Sequence, residues 1–206
     1  MTGPREPVVF STMVEALIKL VGGRERFDSE KRKWLKAIGI DLDQPLLVAY
    51  SLPTWFGFVR VCAELLHPGL DPARAHYRVG FAFVAAYGRT TMGRAVFMMM
   101  RMLGFEHSLS RINKGLNSGI NFLSARTRFL EDGSLEMTFE VLPEFHAALG
   151  PTSGIDPHFM NGNMDAMMAL VDAPFQPGKL QHWEPHSQRA VFVMERKVPL
   201  PRASNS

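Results

Sequence analysis

The side chains able to do chemistry in this chain are few and poorly placed for it. Seven histidines occur: His67, His76, His107, His146, His158, His182 and His186. His182 and His186 stand four apart, a spacing that suits zinc when both lie on one helix face. Pro185 and the strand pattern around it argue against a helix there, and no third ligand is indicated nearby. His76 precedes Tyr77 at the start of a helical run, and a histidine on a helix face is more often structural or solvated than catalytic. Cys62 is the sole cysteine. Its neighbours are apolar, which raises a thiol pKa and favours a buried structural residue over a nucleophile.

Other motifs fail on context. Gly88-Arg-Thr-Thr-Met-Gly93 places hydroxyls between two glycines, but it lacks the lysine of a phosphate loop and follows no strand. Gly150-Pro-Thr-Ser-Gly154 has no strand-turn-helix setting for a serine nucleophile. Asp156, Asp165 and Asp172 are scattered over a loop and a helix, and spacing alone pairs none of them for acid–base work. The remaining candidates are apolar. Trp55, Phe58, Phe81, Tyr87, Phe97, Met98, Met102, Met164 and Met168 fall on three helical stretches that could together line a ligand cavity or fill a core.

The stretch that must position these residues is Asp71 to Leu103. Asp71 followed by Pro72 is an N-cap with proline at the first helical position. Two apolar stripes then recur at helical spacing, which predicts burial on most of the circumference. Arg74, Arg78 and Arg89 share one face, and Arg94 and Arg101 share another. From Arg89 to Arg94 the polar face turns by ~140° at 3.6 residues per turn. A straight helix would need solvent on nearly opposite sides, so a break is expected near Gly88–Gly93. The same glycines could instead serve only close helix packing.

Around this stretch the periodicity predicts helices over 8–21, 28–38, 54–67, 105–117 and 158–171. A hairpin spans 120–142 with its turn at Asp132-Gly133. Residues 143–157 read as a loop, and two final strands cover 179–185 and 189–197. Helices followed by antiparallel strands give an α+β fold, an N-terminal helical bundle with a small sheet of two hairpins and an intervening helix. One domain over 1–206 is expected, with a leader at 1–7 and a frayed tail at 198–206.

Composition excludes more than it selects. Charged residues make up 21% of the 206, and the net charge is only +3 with both signs interleaved. That argues against nucleic acid. The arginines interrupt every apolar run before it could span a membrane. A single cysteine and the lack of a signal-peptide pattern point to the cytoplasm.

The runs VVFSTMVEAL, HPGLDPARAHYRVGFAFVAAYGRTTMGRAV, SGINFLSARTRF and PHFMNGNMDAMM resemble a paralogous family known from myxobacteria, domain of unknown function 2378. The resemblance covers about residues 7–197. Its most specific elements are Tyr77-Arg-Val-Gly80 and Tyr87-Gly-Arg-Thr-Thr-Met-Gly93. That family is grouped by weak similarity with haem nitric-oxide-binding domains, vinyl-4-reductase-type ligand domains and transport-particle subunits. The grouping implies an α+β fold and three different jobs: haem-based gas sensing, binding of a small apolar molecule, or assembly with partners. Haem nitric-oxide-binding domains use an axial histidine on the helix before the sheet and a Tyr-x-Ser-x-Arg motif in the strands. His107 lies near the start of that helix, but no Tyr-x-Ser-x-Arg occurs here. The metal-binding cysteines of vinyl-reductase-type domains are not matched either. The expectation is a non-enzymatic sensory or regulatory module, without metal or cofactor, that binds a small apolar ligand between helices and sheet. The alternatives are an interaction or scaffold subunit, dimeric or bound to a protein partner, and a haem sensor.

Overall fold

The computed structural model of the chain describes residues 5–149, 154–183 and 188–197. The expected bend organises it. Helix α4 (Pro72–Tyr87) stops at Gly88, and helix α5 (Thr91–Leu109) restarts three residues later. Asp71 caps α4 by accepting from the Arg74 N–H. Thr90 caps α5: its Oγ1 accepts from the Gly93 N–H at 3.0 Å and donates to the Tyr87 carbonyl at 2.7 Å. The turn is so tight that a Cβ on Gly93 would collide with the Tyr87 carbonyl. Close packing and chain reversal therefore both depend on this glycine.

The helical layer before α4 comprises α1 (Ser11–Val21), α2 (Ser29–Ala37) and α3 (Leu52–Leu66). Gly22, in the left-handed region at φ 97°, ends α1. The predicted helix over 8–21 loses its first three residues to a strand. Val8–Phe10 (β1) pairs antiparallel with Ala49–Ser51 (β2), Val9 opposite Tyr50. A continuous apolar run does not reveal where extended backbone gives way to helix.

The helix expected over 105–117 is divided. Gly104, at φ 73°, kinks α5, which runs on to Leu109. A short helix, α6 (Ile112–Leu116), follows. The side-chain amide of Asn113 brackets Ala125, accepting from its N–H at 2.7 Å and donating to its carbonyl at 3.0 Å, and so ties α6 to the sheet.

That sheet has the order β3 (Leu123–Phe129), β4 (Leu135–Val141), β6 (Arg189–Met194), β5 (Lys179–His182), antiparallel throughout. Residues 130–134 make the first hairpin loop, with Gly133 at φ 79° and Asp132 accepting from the Ser134 N–H. The loop predicted over 143–157 contains a short helix, α7 (His146–Leu149). Helix α8 (Pro157–Leu170) lies between the two hairpins in sequence and is capped by Asp156. The fold is α+β, as the sequence pattern indicates. Pro185, His186, part of the 150–154 loop and the segment 198–206 lie outside the described residues.

One core runs from Val9 to Met194 and includes Leu17, Phe58, Val79, Phe139 and Phe192. The expected burial of the whole 71–103 stretch needs correction. Helix α4 is buried on its inner side, but on α5 only Gly93, Ser108 and Leu109 are buried. Met98 and Met102 are 62% and 81% exposed. Helix α5 packs against α4 and α6, and Met98 and Met102 on its outer stripe lie uncovered among the described residues.

Candidate functional site

Helices α4 and α8 form the closest seam in the molecule. Tyr77 and Gly80 on α4 face Phe159 and Gly162 on α8. A Cβ on Gly80 would overlap the Phe159 carbonyl, and one on Gly162 would overlap the Tyr77 carbonyl. Backbones approach this closely only where neither side has a side chain. Tyr77 Oη donates to Asp165 Oδ2 at 2.7 Å, and the Gly178 N–H donates to Asp165 Oδ1 at 2.7 Å. Burial, then the Asp165 carboxylate, push the Tyr77 phenol up to about 12. Burial also raises the Asp165 carboxyl, against the two hydrogen bonds it accepts. On the residue before Tyr77, His76 Nδ1 meets Asp156 Oδ2 at 2.6 Å, and that carboxylate raises the histidine pKa. These two pairs join residues some 80 positions apart and tie α8 to α4. Each aspartate also accepts from backbone, Asp165 from Gly178 and Asp156 from His158 and Phe159, so both pairs act as tethers.

Below this seam a chamber of about 170 Å³ opens between the C-terminal half of α4, α5, α6, α8 and the sheet. Phe83, Tyr87, Phe97, Met137, Phe139 and Met164 are among its walls. Arg111 is the one charged residue on its walls, and its serines and its asparagine are turned to their own backbone. Ser108 Oγ donates to the Gly104 carbonyl at 2.6 Å, Ser118 Oγ to that of Gly115 at 2.6 Å, and Asn163 Nδ2 to that of Phe159 at 3.0 Å. Tyr87 Oη lies 2.8 Å from Ser118 Oγ, and burial raises its pKa. The chamber therefore presents rings and thioethers, which recognise shape and apolar surface rather than hydrogen-bonding pattern.

The nine candidate residues divide into three groups. Tyr87, Phe97, Met164 and Met168 line the chamber. Phe81, Met98 and Met102, again with Phe97, line a second depression on the outer side, between α4, α5 and the end of α8. Trp55 and Phe58 touch neither; they are core, with Trp55 edge-on to Phe83 and Phe159 and Phe58 stacked on Phe27. Sequence reasoning passed over Phe83, Leu109, Met137 and Phe139. Their periodicity marks them as inward-facing, but nothing local distinguishes an inward residue beside a void from one in a packed core.

Among the described residues no group of three or more His, Cys, Asp or Glu is placed to hold a metal. Burial pushes the Cys62 thiol far above its ordinary range, which leaves it inert. Among the described residues no helix is long and apolar enough to cross a membrane.

Residues 7–150 match the family model described as Protein of unknown function (DUF2378). No curated protein is similar in sequence. Among solved structures the fold is that of H-NOX proteins. An H-NOX protein from S. oneidensis in the Fe(II)NO ligation state superposes with a TM-score of 0.61 at 10% identity, covering 92% of this chain and 99% of that one. An Fe(II) unliganded H-NOX mutant from K. algicida gives 0.55 at 10% identity, with 93% and 98% covered. A Tt H-NOX double mutant gives 0.59 at 11%, with 96% and 100% covered. At this identity the likeness establishes the fold alone.

Heme is a property of the H-NOX family in its own structures, so its fit to these residues can be tested. It fails on two counts. The chamber is smaller than the ~300 Å³ at which pockets for drug-sized ligands begin. Its walls also hold no histidine and no cysteine. His107 is exposed on α5 outside those walls, and the Tyr87 hydroxyl is engaged by Ser118 and kept protonated. The thioethers remain, without the histidine, thiolate or phenolate that holds haem iron.

Proposed function

The chain belongs to the DUF2378 family of proteins of unknown function, and from that premise we propose that it is a non-enzymatic sensory or regulatory module whose chamber takes up a small apolar molecule. The observation that supports this reading most strongly is the chemistry of the chamber walls. Aromatic rings and methionines surround a space of about 170 Å³, and the nearby hydroxyl and amide donors are already satisfied by backbone carbonyls. An engineered apolar cavity of ~150 Å³ stays dry and binds benzene, so a single ring or a short alkyl chain matches the volume. Methionine side chains adjust to the outline of such guests. Segments of α5 on both sides of the Gly104 kink line the chamber. Occupancy therefore favours one setting of that kink, and a ligand that differs in affinity for two settings shifts their populations.

The test is a thermal and calorimetric titration with toluene. Wild type is expected to bind one equivalent and to melt at higher temperature. Met167→Trp, which fills the chamber from α8, is expected to keep its fold and lose the binding. A wild-type protein that neither binds toluene nor gains stability from it overturns this reading in favour of an interaction subunit with a filled core.

A further inference from the structure

The chamber and the outer groove are two sides of one wall. Val84 and Phe97 line both. The Phe97 ring sits edge-on to Tyr87 on the inner side, with centroids 5.9 Å apart. On the other side it lies against Gly88, where an added Cβ would come within 2.9 Å of the ring. The glycine thus leaves this ring the space it occupies. Beyond it the groove, about 840 Å³, is floored by Phe81, Met98, Met102 and Ala166 and edged by Arg89, Arg94 and Arg101. Its lining contains no carboxylate, and none of the three arginines makes an ion pair among the described residues. Arg94 and Arg101 stand three residues before and four after Phe97, so they share its face of α5 and flank it by one turn on each side. A basic rim and a largely apolar interior are thus separated only by the Val84 and Phe97 side chains.

We propose that the ligand is an anionic amphiphile, a medium-chain carboxylic acid, whose carboxylate is held by Arg89, Arg94 and Arg101 while its tail passes Phe97 into the chamber. This rests on the reading of the chamber given above and specifies the ligand class for it. A wall only two side chains wide between groove and chamber favours a small amphiphile over a docked protein, which would use the groove and leave the chamber aside. The unpaired arginines supply the charge complement, and guanidinium forks suit a carboxylate.

The experiment compares octanoate, 1-octanol and toluene by calorimetry at low salt, on wild type and on the double variant Arg94→Gln, Arg101→Gln. Octanoate is expected to bind about ten- to a hundredfold tighter than 1-octanol, the range for a charge-assisted hydrogen bond. It is expected to displace toluene and to weaken as salt is raised. The double variant, which keeps Arg89, is expected to cut the octanoate advantage severalfold and to leave 1-octanol and toluene unchanged. If octanoate binds no tighter than 1-octanol while toluene still binds, the anionic class is wrong and the chamber stands. If octanoate binds without displacing toluene, head and tail do not share one path, and the proposal fails. If nothing binds, chamber and amphiphile fall together. Were the groove covered by a second copy of the chain, sedimentation would report a dimer that Met98→Asp dissociates, and octanoate would show no advantage; that too overturns the proposal.

Discussion

Replacing Gly162 by alanine tests the α4–α8 seam with a single methyl group. The new Cβ would overlap the Tyr77 carbonyl and lie 2.7 Å from the Phe81 nitrogen, where ordinary contact begins at 3.4 Å. Both obstacles are backbone, so no rotamer relieves them, and restoring ordinary contact with the nearer one, the Tyr77 carbonyl, requires the helices to part by about 1.4 Å. Overpacking of this kind costs typically 1–3 kcal/mol, and a backbone obstacle places it at the upper end. The alanine recovers ~1 kcal/mol of helix propensity. The net expectation is a loss of about 2 kcal/mol, or roughly 4–8 °C in Tm for a chain of this size. Gly80→Ala meets Phe159 across the same seam and should cost a similar amount. Because the first substitution already parts the helices, the double variant should cost clearly less than the sum. Gly115 provides the control: nothing lies within 4 Å of a Cβ there, so Gly115→Ala should be neutral or stabilising. Urea unfolding of the four variants measures all of this. A Gly162→Ala protein as stable as wild type, or strict additivity with Gly80→Ala, would mean that the seam is not this close.

Three further outcomes follow from the tethers and the cap. Tyr77→Phe leaves Asp165 Oδ2 buried without its donor and should cost about 1–3 kcal/mol in urea unfolding; an unchanged midpoint would show that the bond contributes nothing. Asp156 raises the folded-state pKa of His76 above its ordinary 6.5, and Arg60 and Glu64 also act on it. The stabilisation from this pair is therefore complete below about pH 6.5 and is lost as pH rises through the raised value, so the stability gap between wild type and His76→Gln should be widest near pH 6 and narrow on going alkaline. A gap that widens with pH would contradict the assignment. Thr90→Val removes the cap of α5 at a fully buried position and should cost about 0.5–2 kcal/mol, read as a lower Tm together with faster hydrogen exchange at Gly93.

The parts of the fold legible in the sequence are those with a local cause. The break between α4 and α5 follows from the phase of five arginines and from Gly88 and Gly93, and it falls where Thr90 caps α5. The first hairpin follows from Asp132-Gly133. The short strands β1 and β2 escaped because Val8–Phe10 merges into the apolar run of α1. Burial of α5 was overestimated because an apolar stripe does not state whether anything covers it; Met98 and Met102 are bare. The site was legible only in part. Tyr87, Phe97, Met164 and Met168 meet at the chamber, while Trp55 and Phe58 are equally apolar and lie in filled core. A void is a property of three-dimensional packing and leaves no period in the chain. The His76–Asp156 and Tyr77–Asp165 pairs lie beyond any motif spacing for the same reason. The motifs Tyr77–Gly80 and Tyr87–Gly93 now have physical roles: the first closes the seam with α8, and the second makes the turn that leaves Tyr87 and Phe97 on the chamber wall.

A crystal of the protein exposed to toluene puts the chamber to its most direct trial. Density for one ring among Phe97, Met137, Phe139 and Met164, at full or partial occupancy, is the expected result. A chamber closed by those same side chains, with toluene absent or only on the surface, would contradict it.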